Sequence, residues 1–150
     1  MSTAAFKPFE MQDADIVVGM MRDFYAIDNY PMDVAVSKGL YLEFIENDSL
    51  GKGWTITIDG EIAGYAILTF VFSFEYKGRI AFLDELYLSP GTRGKGIGKQ
   101  AVSFLTEQAK LHSIKIIYLE VEGHNTLAQK LYLSAGYELH NRGLMKLTLK

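Results

Sequence analysis

Residues 82–112, FLDELYLSPGTRGKGIGKQAVSFLTEQAKLH, constrain this chain more than any other stretch. Residues 82–88 are apolar and aromatic except for Asp84 and Glu85, and read as a strand. Ser89-Pro90-Gly91 ends it, since proline cannot continue a ladder and glycine accepts turn geometry. Arg93-Gly94-Lys95-Gly96-Ile97-Gly98 follows, and then Ala101, Val102, Leu105, Ala109 and Leu111 recur at helical spacing. A glycine-rich turn that opens a helix leaves backbone N–H groups unpaired at the positive end of the helix dipole, which suits a phosphate. Arg93, Lys95 and Lys99 add positive charge there. The two common phosphate loops do not fit. A Walker A loop needs Ser or Thr after Gly-Lys, where Gly96 stands, and the dinucleotide fingerprint needs glycine where Lys99 stands. The spacing that remains is Arg93-x-x-Gly96-x-Gly98.

The rest of the chain alternates strand and helix patterns. Residues 3–9 read as a short first strand. Gln12-Asp13-Ala14-Asp15 opens a helix with acids in its first turn, and Ile16, Val17, Met20, Met21 and Phe24 form its apolar stripe. The stretch 25–32, YAIDNYPM, breaks the pattern at Tyr30-Pro31, and Asp33 caps a second helix to about residue 46. Residues 53–58, an Asp59-Gly60 turn and residues 62–74 make a hairpin. Phe70, Phe72, Phe74 and Tyr76 lie on one face of its second strand, an arrangement that reads as sheet core. Another hairpin tip falls around Lys77-Gly78. Residues 115–122 give one more strand, a helix opens at His124-Asn125 and ends at Gly136, and residues 137–140 and 144–149 read as two closing strands. Strand–helix–strand–helix–strand at this spacing implies a partly parallel sheet with helices on its faces.

Asp84 and Glu85 are adjacent, so they face opposite sides of their strand unless a bulge intervenes. Two acids in an apolar strand need a reason, because buried charge is costly without a partner. General-base work is one reason; exposure, or pairing with Arg79 or a lysine, is the other. Glu120 is a further acid on the following strand.

At 150 residues, the chain has the length of one ordinary domain, and a single domain over 1–150 is expected. A net charge of −3 supplies no basic field for nucleic acid. With no cysteine, a disulfide scaffold, a thiolate metal site and a cysteine nucleophile are excluded, and a reducing, cytoplasmic setting is expected. The N-terminus lacks an apolar core of signal-peptide length, and the apolar run 62–74 is too short to cross a membrane as a helix. His112, His124 and His140 are scattered without ligand spacing, so no metal is expected.

The cofactor-loop spacing, its position between strand and helix, and two later signatures resemble the GNAT N-acetyltransferase superfamily. The later signatures are Leu119-Glu120-Val121 and Asn125-x-x-Ala128-x-x-Leu131-Tyr132-x-x-x-Gly136-Tyr137. The resemblance spans essentially the whole chain. It implies an α/β (α+β) fold: a mixed, mostly antiparallel sheet of about six or seven strands with a parallel central pair, flanked by about four helices. It also implies acetyl-CoA as cosubstrate. The backbone of Leu86, Tyr87 and Leu88 would pair with the pantetheine arm. The amides from Arg93 through Gly94, Lys95, Gly96, Ile97 and Gly98, with Lys99 beside them, would hold the pyrophosphate. Asn125 and Ala128 would contact the cofactor, and Tyr132 would protonate the leaving thiolate.

Acyl transfer from a thioester to an amine needs a neutral amine, and most amines are protonated at pH 7. A carboxylate can take that proton directly or through water. By resemblance the base is Glu85 first or Glu120 second. The expected activity is direct N-acetylation of a primary amine, and the alternative is a non-catalytic acyl-CoA-binding or regulatory module on the same fold. Tyr25, Asp28 and Tyr30, beside the helix break, and Glu75 and Asp84 are the acceptor-contact candidates, though each also fits an ordinary structural role. The acids Asp28, Asp33, Glu75, Asp84, Glu85 and Glu120 lean toward a cationic small amine or a lysine side chain, and an amino-terminal peptide amine, an aminoglycoside and a polyamine stay open. Neither nucleic acid nor a membrane is an expected partner. Many members of the family are dimers, so the resemblance implies a homodimer.

Overall fold

Alternating apolar residues in the first 120 positions build one five-stranded sheet in the order β1 (Ala5–Pro8), β2 (Gly51–Ile58), β3 (Glu61–Ser73), β4 (Gly78–Leu88) and β5 (Ile117–Tyr118). The structure, a computed structural model, describes residues 3–150. Neighbouring strands are antiparallel except β4 and β5, which run parallel through Ala81↔Ile117 and Phe82↔Tyr118. Asp59 and Gly60 both take positive φ, 52° and 83°, which gives the β2–β3 hairpin a turn whose twist matches its strands.

Helices α1 (Ala14–Ile27) and α2 (Val34–Glu46) follow β1. The Asp33 carboxylate accepts from the Val36 N–H at 3.0 Å, the expected N-cap of α2. Val17, Val18 and Met21 of α1 and Tyr41 of α2 pack with Tyr65, Ile67 and Tyr87 on one sheet face. Helix α3 (Ile97–Leu111) sets Ile97 and Ala101 against Ile56, Leu86 and Leu88. Since successive strand residues point to opposite faces, α3 lies on the other side of the sheet from α1.

Residues Val121–Lys150 form a second compact unit. It holds α4 (Thr126–Ser134), whose first turn is capped by Asn125 Oδ1 accepting from the Ala128 N–H at 3.0 Å. Gln129 Nε2 donates to the carbonyls of Glu122 and Gly123 and fixes the loop ahead of that helix. Gly136 takes φ 101° just past its end, the expected stop.

The mostly antiparallel sheet, its parallel pair and the four helices agree with the expected fold. Among the described residues the strand count is five rather than six or seven, and the parallel pair stands at an edge of these five. Two departures account for this. The strand expected over 115–122 is reduced to Ile117–Tyr118; its pairing with β4 stops at Phe82, just before the bulge that interrupts β4 at Asp84. Residues 137–140 and 144–149 form no strand, and Leu139, Met145 and Leu147 stand exposed; a two-residue period makes a strand only where a partner supplies the ladder. The aromatic stripe also departs from expectation. Phe72 and Phe74 are 70% and 90% exposed, because the β3–β4 hairpin runs past the end of β2, whose last partner on β3 is Thr69.

Candidate active site

Glu85 sits where the β3–β4 register slips. Ile67 stands opposite Glu85 but Leu68 stands opposite Leu83, so Asp84 is an extra residue on β4. A one-residue slip flips every later side chain to the other face. Above the bulge, Glu85 and Tyr87 therefore point toward α1, and Leu86 and Leu88 point toward α3. Without it, Asp84 would face Ile67 and Glu85 would point the other way.

Two phenols hold the Glu85 carboxylate. Tyr25 Oη donates to Oε2 at 2.7 Å from α1, and Tyr65 Oη donates to Oε1 at 2.6 Å from β3. Tyr65 is fully buried and its ring lies 5.9 Å from that of Tyr87. Burial pushes the Glu85 carboxyl above the ordinary range; the hydrogen bonds from Tyr65 and Tyr25 pull it back, and the Asp84 charge raises it further. Both tyrosines are pushed well above the usual phenol value, first by burial and then by the Glu85 carboxylate, so both stay protonated donors at any working pH. Asp84 is also raised, by its crowded surroundings and then by the charge of Glu120, although its side chain reaches solvent.

The backbone of β4 divides its duties. Ser89 N–H donates to the Ala63 carbonyl at 2.8 Å. Antiparallel hydrogen bonding alternates along a strand, so Tyr87 and Glu85 face β3, while Leu86 and Leu88 turn their backbone groups the other way. On that side the pairing with β5 ends at Phe82↔Tyr118. Arg93 folds back there: its Nε donates to the Leu88 carbonyl at 2.8 Å and its guanidinium lies 5.5 Å from the centre of the Tyr87 ring.

Beyond β4, a 3-10 turn (Pro90–Thr92) leads to Gly94 and Gly96 at φ 75° and 79°. Gly96 is the N-cap of α3 and offers no side-chain acceptor, and Gln100 is the first residue to donate back, to the Gly96 carbonyl at 3.2 Å. The N–H groups of Ile97, Gly98 and Lys99 thus head the helix without intrahelical partners. Arg93, Lys95 and Lys99 are exposed around them.

The structure brings Tyr25, Asp84, Glu85 and the Leu86–Leu88 backbone together, with the glycine turn at the end of the same strand. Glu120 is exposed and close enough to bear on Asp84. Asp28 and Tyr30 lie just past α1, half-buried and exposed respectively. Glu75 is exposed at the β3–β4 tip, roughly 20 Å along β4 from Glu85, and does not join this group. In the second unit, Ala128 is half-buried, and Tyr132 is half-buried with its phenol pushed up to about 12 by burial. Its ring meets Tyr137 edge-on at 5.6 Å.

Sequence reasoning missed Tyr65. Its signal was a phenol in a strand otherwise built for burial, since a buried tyrosine needs a hydrogen-bond partner. Counting back from Ser73↔Gly78 without a bulge would set it opposite Leu86, so the register hid its link to Glu85. Among the described residues no cluster of three His, Cys, Asp or Glu could hold a metal, and no helix is long and apolar enough to cross a membrane.

The profile of the Acetyltransferase (GNAT) family matches residues 19–137. The chain belongs to that family. This GNAT chain is 35% identical over 80 residues to an uncharacterized N-acetyltransferase of Bacillus subtilis, covering 53% of the chain and 54% of the relative, so it spans about half the length of that protein. It is 30% identical over 125 residues to an uncharacterized N-acetyltransferase of Lactobacillus delbrueckii subsp. lactis, covering 76% and 70% of the two chains. A predicted acetyltransferase from Clostridium acetobutylicum, solved with acetyl-CoA, shares the GNAT fold at a TM-score of 0.79 and 20% identity, covering 97% and 96% of the two chains.

Proposed function

We propose that this chain moves the acetyl group of acetyl-CoA directly to a primary amine. The observation that carries the reading is the join at the end of β4: a carboxylate held by two phenols, backbone groups of Leu86 and Leu88 turned away from β3 beyond the last pairing with β5, and a cationic glycine turn heading α3. In this reading the pyrophosphate lies on the Ile97, Gly98 and Lys99 amides, and the pantetheine arm pairs with Leu86 and Leu88 as a strand would. Asn125 and Ala128 add cofactor contacts. The family match crosses both compact units, which supports one GNAT domain over 1–150.

Glu85 takes the proton from the acceptor ammonium, with Glu120 as second choice. The amine nitrogen then bonds to the thioester carbon, the carbon–sulfur bond breaks, and the leaving thiolate receives a proton from Tyr132; the second proton of the attacking nitrogen leaves to solvent as the amide forms, and solvent restores the proton of Tyr132. No covalent enzyme intermediate is needed, which suits a chain without cysteine. Binding both substrates side by side supplies much of the acceleration. Asp84 and Glu85, with Asp28 and Tyr30 past α1, favour a cationic small amine or a lysine side chain as acceptor. A reducing, cytoplasmic setting belongs to the same proposal.

The test is the melting temperature with saturating acetyl-CoA, coenzyme A, ATP or NAD, followed by thiol release in a panel of amines. A ligand at a hundred times its dissociation constant stabilises a fold by about 2.7 kcal/mol. Stabilisation by acetyl-CoA and coenzyme A together with amine-dependent thiol release is expected. Stabilisation without release from any amine would make the chain an acyl-CoA-binding module, and stabilisation by ATP or NAD instead would replace the reading.

A further inference from the structure

The Glu85 carboxylate has one donor fixed in the core and one on a helix. Tyr65 lies on β3, is fully buried and reaches Oε1 at 2.6 Å. Its ring packs against Phe24, 6.5 Å away and edge-on, and against Tyr87. Tyr25 reaches Oε2 at 2.7 Å from the last turn of α1, where the chain departs into residues 28–33. We infer that Tyr65 is the positioning residue of the reaction: it pins one oxygen of Glu85 to the rigid strand, so that the carboxylate turned by the Asp84 bulge meets the acceptor nitrogen in one orientation. Tyr25 completes the clamp and ties the end of α1 to the same carboxylate. The inference rests on the acetyl-transfer reading with Glu85 as base.

The physical case is a matter of rigidity. Asp84 is an extra residue in its ladder, so the strand at Glu85 is held less regularly than its neighbours. A glutamate has three side-chain torsions, and ordering a rotamer-rich side chain costs on the order of 1 kcal/mol. Hydrogen bonds to a charged group are among the stronger ones in proteins and fix direction as well as distance. Tyr65 has no freedom of its own at full burial, so it is the part of the clamp that sets position. The groups facing Glu85 are Tyr25 from α1, Tyr65 from β3, and Asp84 and Tyr87 on its own strand. Glu120 after β5 bears on Asp84, and the Arg93 guanidinium lies over the Tyr87 ring.

The test compares wild type, Tyr65→Phe and Tyr41→Phe. Tyr41 is another buried tyrosine of the same core, its phenol donates to the Glu10 carbonyl at 2.7 Å, away from Glu85, and it controls for the loss of a hydroxyl there. Carboxyl-carbon NMR, with the signal assigned through Glu85→Gln, reads the Glu85 titration without substrate. Thiol release with acetyl-CoA and 1,5-diaminopentane, a lysine-side-chain mimic, reads kcat/KM against pH. Tyr65→Phe removes a donor to the ionised form. The Glu85 midpoint and the acid limb of kcat/KM should therefore move up together by about one pH unit, a roughly tenfold loss below the limb, and the plateau should fall as well because the carboxylate is no longer held in one orientation. Tyr41→Phe should move neither.

An unmoved Glu85 midpoint in Tyr65→Phe overturns the inference. So does a midpoint that moves while the kinetic limb stays, because the base is then another group. Wild type that releases no thiol with any amine overturns the acetyl-transfer reading instead, and is told apart by an intact NMR shift. If Tyr65→Phe does not fold, Tyr25→Phe tests the clamp from its other oxygen with the same two readouts.

Discussion

Asp84 and Glu85 are consecutive acids that the β3–β4 ladder treats differently: Glu85 stands opposite Ile67, and Asp84 has no counterpart on β3. The bulge thereby selects which carboxylate the phenols of Tyr25 and Tyr65 receive. Glu85→Gln should lower kcat by about 10²–10⁴-fold, the range for loss of a general base, with coenzyme A affinity unchanged. Asp84→Asn should keep kcat and, as a proposed acceptor contact, raise the KM of a cationic amine. The Asp84 charge raises the Glu85 carboxyl, so removing it should move the acid limb of kcat/KM to lower pH. A steady-state pH profile of both variants checks the pair, and equal losses would remove the distinction.

The same carboxyl should be visible in stability. Its folded-state value is raised, chiefly by burial. A carboxyl raised on folding contributes stability that is fully present below its unfolded value, about 4.3 for glutamate, and lost as pH rises through the folded value. Glutamine cannot titrate. The unfolding free energy of Glu85→Gln minus that of wild type should therefore grow as pH increases across that window. Urea unfolding at several pH values measures it, and a difference that shrinks with pH would mean the hydrogen bonds outweigh burial.

Much of this was legible because it was local. The Asp33 cap, the Asp59-Gly60 turn and the glycine turn before α3 each declare themselves within a few residues, and each formed where its residues lie. The adjacency of two acids raised the question of a bulge, but whether β4 would take one depends on how β3 packs across from it. Tyr65 stayed hidden for that reason: its partner is 20 residues away and its register depends on the slip at Asp84. The exposure of Phe72 and Phe74 depends on where β2 ends, which the alternation inside β3 does not encode. The pairing of β5 likewise stops just before the bulge in its neighbour, which the alternation of residues 115–122 does not encode.

The turn before α3 depends on backbone shape more than on space. A Cβ at Gly96 would meet nothing within 4 Å, yet its φ is 79°. Gly96→Ala should destabilise by about 1 kcal/mol through that strain alone. It should also weaken coenzyme A binding, since the Ile97–Lys99 amides are aimed from this residue. Gly91→Ala, equally uncrowded and without a positive φ, is the control and should do neither. Thermal unfolding and calorimetric titration of the two variants separate conformation from bulk.

Two strand glycines give the opposite case. A Cβ at Gly64 would lie 2.2 Å from the Tyr87 backbone oxygen, and one at Gly53 would lie 2.2 Å from the Phe9 ring. A ring can swing aside, whereas a carbonyl in a ladder moves only if β3 and β4 part. Gly64→Ala should cost about 3 kcal/mol or more and Gly53→Ala less, by equilibrium urea unfolding. Because Tyr87 neighbours the Glu85 clamp, Gly64→Ala should also depress turnover beyond its effect on the folded fraction.

Asn125 has two duties to divide. Its Oδ1 accepts from the Ala128 N–H at the start of α4, and its amide donors are the groups that face no helix-cap duty and are proposed for a cofactor. Serine is an equally good N-cap but carries no amide. Asn125→Ala should therefore lose about 1 kcal/mol of stability and Asn125→Ser almost none. If the amide also holds acetyl-CoA, as proposed, both variants should raise its KM by a similar factor. A KM that rises only in Asn125→Ala would assign this residue to the helix cap alone, because the contact would then follow the stability of α4 and not the side-chain donor.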